Sequence, residues 1–133
     1  MDVLNIEPTD NSPLIILDPY ALKFEISGES RPENAGKFYS PILSWLELFK
    51  SSAIWKSGTN ASQKPLSLEI KLEYFNSTSS KYLLDVFKEI CLIKEAGCNV
   101  NINWYYDAMD EDMKESGEEF SQLVEIPFQY FSR

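Results

Sequence analysis

Residues 66–80 read LSLEIKLEYFNSTSS, and this stretch decides the fold because a strand pattern passes directly into a helix start. Apolar and polar side chains alternate from Leu66 to Phe75, with the period of two that is typical of a strand with one buried face. Asn76 and four hydroxyl residues follow, and then Leu83, Leu84, Phe87, Ile90 and Cys91 recur at helical spacing. The stretch therefore predicts a strand joined to a helix by a very short connection.

The residues before this stretch predict a hairpin and a first helix. Residues 1–12 show no periodicity and predict a loose start, whereas an apolar run at 14–17, a turn at 18–20 and alternation at 22–26 predict two strands. A helix is expected from about Asn34, with Pro41 inside it as the cause of a kink near Lys37. The alternative is a helix that begins at Pro41 with Ser40 as its N-cap. The expected inward positions are Phe38, Ile42, Trp45, Leu46 and Phe49, and residues 56–65 predict a loop.

The residues after it predict three more elements. Gly97 is placed to end the second helix, and residues 99–106 alternate as another strand. A third helix is expected at about 110–123, with Met109, Met113, Phe120 and Leu123 near one face. Residues 126–131 predict a last edge segment, limited by Pro127, which has no N–H for a sheet ladder.

The element order ββαβαβαβ predicts the fold class. Strand–helix–strand repetition implies parallel strands with right-handed crossovers. The two clearest strands alternate and are not apolar throughout, so the helices are expected to cover one face only. The other face, with Glu69, Lys71, Glu73, Asn101 and Asn103, is expected to stay hydrated. We predict an α/β (α+β) two-layer sandwich, with a mixed sheet of four to five strands and three main helices on one face, in a single domain over residues 1–133.

Composition and charge exclude several functions. The 133 residues carry a net charge of -9 and contain no histidine. Acidic character argues against nucleic acid or an anionic membrane as partner, and the missing histidine removes the common nucleophilic triads and most zinc sites. With no signal peptide or transmembrane run, the expected compartment is the cytoplasm.

The hydroxyl residues at 77–80 are the most unusual feature of the chain. Helix capping explains one of them, since Ser, Thr and Asn are preferred N-caps. The functional interpretation is a phosphorylation switch, because a phosphate at a helix N-terminus meets free amides and the positive end of the dipole. A metal site at Asp107, Asp110, Glu111 and Asp112, or a carboxylate pair drawn from Glu69, Glu73 and Asp85, is weaker, because acidic residues at helix starts and on hydrated faces need no function. We therefore predict no catalytic residue, no metal and no cofactor.

Several segments together resemble the SiaC family of bacterial regulatory phosphoproteins. The resemblance spans nearly the whole chain, and its most specific parts are the Pro-Glu-Asn loop and the Tyr-Phe-Asn-Ser junction. The segments are Gly28–Asn34, Phe38 and Trp45, Tyr74–Ser79 with Lys81 and Asp85–Phe87, and Trp104–Asp107.

The resemblance implies a STAS-like fold and a non-enzymatic partner-switching circuit. A Ser/Thr protein kinase would phosphorylate the protein and a PP2C-type phosphatase would reverse this. The unmodified form would bind and activate a target such as a diguanylate cyclase, in cyclic-di-GMP and biofilm regulation. An anti-anti-sigma factor that binds an anti-sigma kinase, and a small metal- or carboxylate-dependent enzyme, are the alternatives.

The resemblance also implies site residues. By position the phosphorylated residue is Ser77, directly after Asn76, with Thr78 and Ser79 as rivals. The implied partner-binding residues are Pro32, Glu33, Asn34, Asn76 and Lys81.

Overall fold

The described part of the chain in this computed structural model, residues 1–56 and 64–133, forms a sheet with helices packed against it. The strands are β1 (Leu4–Ile6), β2 (Leu14–Asp18), β3 (Lys23–Ser30), β4 (Leu66–Phe75), β5 (Val100–Tyr106) and β6 (Gln129–Ser132). The helices are α1 (Ala35–Ser51), α2 (Ser77–Glu95) and α3 (Glu111–Val124), with a 3-10 turn at Ile54–Lys56. In these residues, no helix combines the length and the apolar character that a membrane span needs. Most of the predicted 56–65 loop lies outside the described residues.

The six strands lie in the sheet in the order of the chain. β1, β2 and β3 are antiparallel neighbours, and β3 to β6 are parallel. Each parallel connection moves one place in the same direction, so right-handed crossovers put all three helices on one face. The predicted mixed α/β architecture with three helices is confirmed.

The strand count differs from the four to five expected, because residues 4–6 form a strand within the stretch predicted to be loose. β1 pairs with β2 through Leu4 opposite Leu17 and Ile6 opposite Ile15. Three residues are too few to show a period of two, so the sequence pattern could not reveal this strand.

The core lies between the sheet and the three helices. The inward face of β4 is fully apolar, with Leu66, Leu68, Ile70 and Leu72 each at most 2% exposed. Burying one such side chain contributes roughly 1.5–3 kcal/mol. The 66–75 strand pattern therefore forms the middle of the core as its alternation predicts, but only as far as Leu72. Beyond a register shift against β3, Tyr74 is 47% exposed and Phe75 packs against the core, which reverses the expected alternation.

Helix α1 begins at Ala35 and continues through Pro41, so the alternative start at Pro41 is wrong. Pro41 is exposed and removes only the backbone bond that would reach the Lys37 carbonyl. The buried face of α1 also differs from the predicted one. Phe38 and Trp45 are only partly buried, whereas Tyr39, which was not among the expected inward positions, is fully buried. The buried set of α1 is Ala35, Tyr39, Ile42, Leu46 and Phe49.

Helix α3 uses a different inward face from the one predicted. Met109 and Leu123 are 91% and 65% exposed, whereas Met113, Gly117, Phe120 and Val124 are buried. The buried set has the expected spacing of three to four residues but passes through Gly117. A hydrophobic pattern counts only apolar side chains, so it does not show that Gly117 lies on the buried face. For this reason the predicted face, which includes Met109 and Leu123, is wrong.

The helix-free face of the sheet holds one carboxylate that is far less hydrated than expected. Glu69 is 9% exposed, and its oxygens accept hydrogen bonds from Ser67 Oγ, Asn103 Nδ2 and Tyr105 Oη. Burial raises the pKa of Tyr105, and its hydrogen bond to Glu69 raises it further. Glu69 is thus a largely buried carboxylate held by three donors on this face.

Candidate functional site

The candidate site is the edge of the sheet at which the three helices begin. β3, β4 and β5 are parallel and each is followed by a helix, so their carboxyl ends and the three helix N-termini share one edge. Each helix has an Asn or Asp N-cap whose side-chain oxygen accepts from the third helical amide. The pairs are Asn34 with Lys37 N at 3.0 Å, Asn76 with Ser79 N at 2.9 Å, and Asp110 with Met113 N at 3.0 Å.

The three helix starts differ in charge. The first turn of α3 carries Glu111 and Asp112, whereas the first turns of α1 and α2 carry no acid. Exposed lysines lie close to both of these starts, Lys37 in α1 and Lys81 in α2, and one exposed acid, Glu33, precedes the N-cap of α1. In a chain of net charge -9, the corner formed by α1 and α2 therefore favours an added anion more than the start of α3 does.

The three candidate phosphate acceptors occupy different environments. Ser77 and Thr78 are exposed in the first turn of α2. Ser79 is 0% exposed, and its Oγ accepts a hydrogen bond from Ser30 Oγ at 2.8 Å. A kinase cannot reach a fully buried hydroxyl without opening the helix start, so Ser79 does not fit as the rival that the sequence suggested.

A chain of three buried hydroxyls lies beneath this helix start. Ser30 Oγ donates its single proton to Ser79, so the 2.6 Å bond between Ser30 Oγ and Tyr39 Oη has Tyr39 as donor. Burial raises the pKa of Tyr39 to about 12, although its side-chain hydrogen bonding with Ser30 and Ser79 lowers the pKa in part. Tyr39 therefore keeps its proton at neutral pH. No local pattern along the sequence links positions 30, 39 and 79, so only the fold brings Ser30 and Tyr39 to this helix start.

The predicted partner-binding residues lie around the same corner. Glu33 and Asn34 are exposed and Pro32 is half-buried, in the short loop from β3 to α1. Asn76 follows β4, and its backbone N–H donates to the Ser30 carbonyl at 3.1 Å. The fold thus brings the Pro-Glu-Asn loop and the Asn-Ser junction to one edge of the sheet, although some forty residues separate them in the chain.

Tyr82 joins the starts of α1 and α2. Its ring stacks on that of Tyr39, with centroids 5.9 Å apart, and Lys81 Nζ lies 5.5 Å from the centroid of the Tyr82 ring. A Cβ added at Gly36 would lie 2.9 Å from Tyr82 Oη and 3.6 Å from Asn34 Oδ1. Gly36 therefore lets Tyr82 come close to the first turn of α1. The contacts of Tyr82 depend on how the two helices pack, so no sequence pattern marks this residue.

The acidic residues before α3 have structural roles. Asp107 accepts from the Met109 amide at 2.8 Å, and Asp110 caps the helix. Across the described ranges 1–56 and 64–133, no three Asp, Glu or Cys side chains are grouped so that they could hold a metal ion. Asp107 and Asp110 thus hold the turn and the helix start through backbone amides.

The cap assignment gives a direct stability prediction. Asn76→Ala should lower the free energy of unfolding by about 1 kcal/mol, because the Ser79 amide loses its acceptor. Ser77→Ala should change it by only a few tenths of a kcal/mol, since Ser77 is exposed and does not cap the helix. Urea unfolding of the two variants checks this. A Ser77→Ala loss as large as that of Asn76→Ala would show that the Ser77 hydroxyl is the cap.

Comparisons with known proteins agree with this architecture. The family model described as SiaC family regulatory phosphoprotein matches residues 6–133. An uncharacterized protein of Pseudomonas aeruginosa (strain UCBPP-PA14) is 30% identical over 128 residues, which cover 96% of this chain and 94% of that protein.

Two solved structures from Pseudomonas aeruginosa are similar over almost their whole matched chains. Apo-SiaC has a TM-score of 0.83 at 28% identity, covering 99% of this chain and 100% of that one. A chain in the crystal structure of the diguanylate cyclase SiaD in complex with its activator SiaC has a TM-score of 0.82 at 28% identity, covering 98% and 99%. Since the family model spans nearly all of the sequence and the fold agrees, the chain belongs to the SiaC family of regulatory phosphoproteins.

Proposed function

We propose that this protein is a non-enzymatic partner-switching regulator of the cytoplasm, whose unphosphorylated form binds and activates a diguanylate cyclase. Phosphorylation of Ser77 by a Ser/Thr protein kinase releases the target, and a PP2C-type phosphatase restores binding. Residues 1–133 act together as one regulatory domain. The SiaC of Pseudomonas aeruginosa is the activator of the cyclase SiaD, and its similarity to this chain supports the same class of target here.

The single observation that carries the proposal is the environment of Ser77. Its hydroxyl is exposed at the first helical position of α2, in a helix turn without acidic residues. Lys81 follows four residues later, on the same side of the helix. A phosphate on Ser77 therefore meets free amides and an ammonium group while the fold stays intact. A reversible switch needs a hydroxyl that a kinase can reach and a local environment that stabilises the added phosphate, and Ser77 has both.

The proposed docking surface is the corner around Ser77, made of Pro32, Glu33, Asn34, Asn76 and Lys81. The exposed side chain of Tyr74, 47% accessible just before this corner, adds apolar area of the kind that interfaces use. The capping bonds of Asn34 and Asn76 fix the backbone there, so a partner would meet a preformed surface.

The non-enzymatic part of the proposal rests on how the polar groups are used. Asn34, Asn76 and Asp110 cap helices, and Glu69 is held by three donors. Side chains with such fixed structural partners are poor candidates for acid–base work, which requires a group free to exchange protons with a substrate.

The test is phosphorylation of the full chain by its cognate kinase with ATP, followed by intact mass and peptide mapping. We expect one phosphoryl group, located on Ser77 and removed by the phosphatase. Ser77→Ala should stay unmodified, and the matched variant Thr78→Ala should be modified like the wild type. Phosphate on Thr78 in the wild type would keep the mechanism and correct the residue. A chain that takes no phosphate, or that never stimulates the cyclase, would contradict the proposal.

A further inference from the structure

We infer that Ser30 is the positioning residue for the modification of Ser77, because it holds both ends of the exposed Ser77–Thr78 segment. This inference rests on the proposed function and adds a residue that never meets the kinase. Ser30 is the last residue of β3 and is 0% exposed.

The carbonyl of Ser30 holds the first end. It accepts from the backbone N–H of Asn76 at 3.1 Å, just beyond the point where Ser30 pairs with Phe75 in the parallel ladder. The residue before Ser77 is therefore tied to the neighbouring strand, at the place where β4 turns into α2.

The hydroxyl of Ser30 holds the second end. It donates to Ser79 Oγ at 2.8 Å and is itself fixed by Tyr39 Oη at 2.6 Å. Ser79 is also held at its backbone, since its amide donates to the Asn76 side chain at 2.9 Å. All three hydroxyls are fully buried, so breaking this chain leaves unpaired polar groups in the core.

Ser77 and Thr78 are thus the only two residues between two fixed points. Neither of their side chains takes part in the hydroxyl chain, and both are exposed. The bonds of Ser30 to Asn76 and to Ser79 therefore act as a clamp on this segment. The clamp sets the position and the direction of the Ser77 and Thr78 hydroxyls, although Ser30 itself makes no contact with a kinase. Helix capping alone would not require it, because Asn76 supplies the cap.

Positioning matters because phosphoryl transfer needs the acceptor in line. The Ser77 Oγ forms a bond to the γ-phosphorus of ATP, while the bond from that phosphorus to the bridging oxygen breaks and ADP leaves. The hydroxyl proton passes to a basic group of the kinase. A displacement of about 1 Å in such a geometry lowers the rate by up to roughly 100-fold.

The experiment measures kinase kcat/KM and the ratio of phosphate on Ser77 to phosphate on Thr78 for the full chain and its variants. Ser30→Ala and Ser79→Ala, which break the same bond from its two sides, should each lower kcat/KM at Ser77 by about tenfold and raise the Thr78 share. Ser12→Ala is the matched control, because Ser12 is also buried and bonded to a hydroxyl, that of Thr9. It should leave both readouts unchanged.

A double variant tests whether Ser30 and Ser79 act through their shared bond, while the ratio of phosphate on Ser77 to phosphate on Thr78 reports positioning. Ser30→Ala also removes the acceptor of the Tyr39 hydroxyl, so Ser30→Ala combined with Ser79→Ala should lower kcat/KM no further than Ser30→Ala alone. If Ser30→Ala does not fold, as judged by circular dichroism, Ser79→Ala decides the question.

The outcomes distinguish this inference from the proposed function. A folded Ser30→Ala protein that is phosphorylated on Ser77 at the wild-type rate and ratio would overturn the inference and leave the switch standing. Equal loss in Ser12→Ala would also overturn it. Wild-type protein that the kinase does not modify would overturn both.

Discussion

Phosphorylation of Ser77 is expected to weaken binding to the proposed target by about 100-fold, which corresponds to roughly 3 kcal/mol. Docking on the α2 start would bury the added dianion, and burying a charge without a partner costs several kcal/mol. In the free protein the same phosphate gains from the free amides of the helix start and from Lys81, four residues on. Because Lys81 belongs to the proposed docking surface, a phosphate that engages it also withdraws it from the target, so this contact disfavours binding as well.

The measurement is a titration of the target with wild-type protein, kinase-treated protein, Ser77→Asp and Ser77→Ala. Ser77→Asp carries one charge where phosphate carries nearly two, so it should weaken binding by less, about tenfold. Ser44→Asp is the matched control, because Ser44 is exposed in the middle of α1 and the change in net charge is identical. It should bind like the wild type. Equal affinity of untreated and kinase-treated protein, with phosphate confirmed on Ser77, would disprove the switch.

Replacing Gly117 by alanine should destabilise the fold by about 1–3 kcal/mol, the usual cost of overpacking a core. Helix propensity alone predicts the opposite sign, since alanine is favoured over glycine by about 1 kcal/mol inside a helix. The added Cβ would lie 2.7 Å from three ring atoms of Trp104. That indole cannot yield easily, because it is fully buried and its Nε1 donates to the Met113 carbonyl at 2.9 Å.

Urea unfolding of Gly117→Ala checks this, with the exposed neighbour Glu118→Ala as the control that should stay within half a kcal/mol or so. In a Trp104→Phe background the smaller ring leaves room, so Gly117→Ala should cost less there than in the wild type. Stabilisation by Gly117→Ala in the wild type would show that α3 moves away from the sheet without loss.

Local patterns predicted most of the architecture. Alternation at 66–75 and 99–106, and helical spacing after 76, depend only on neighbours two to four residues apart. The end of α2 was predicted correctly for the same reason: Gly97 adopts a φ of +116° and its amide bonds to the Lys94 carbonyl. The hydroxyl run at 77–80 and the Pro-Glu-Asn loop likewise identified the segments that lie at one edge of the sheet.

What the sequence by itself determined is therefore the three helices, every strand except β1, their order, the one-sided placement of the helices and the family. Only the tertiary structure separated the hydroxyls at 77–80, turning Ser77 and Thr78 to the surface and Ser79 into the core. It also joined Ser79 to Ser30 and set Gly117 against Trp104. The physical reason is that these contacts arise from the packing of elements that are distant in the chain, and no pattern along a single segment records which side chain will fill the space opposite it.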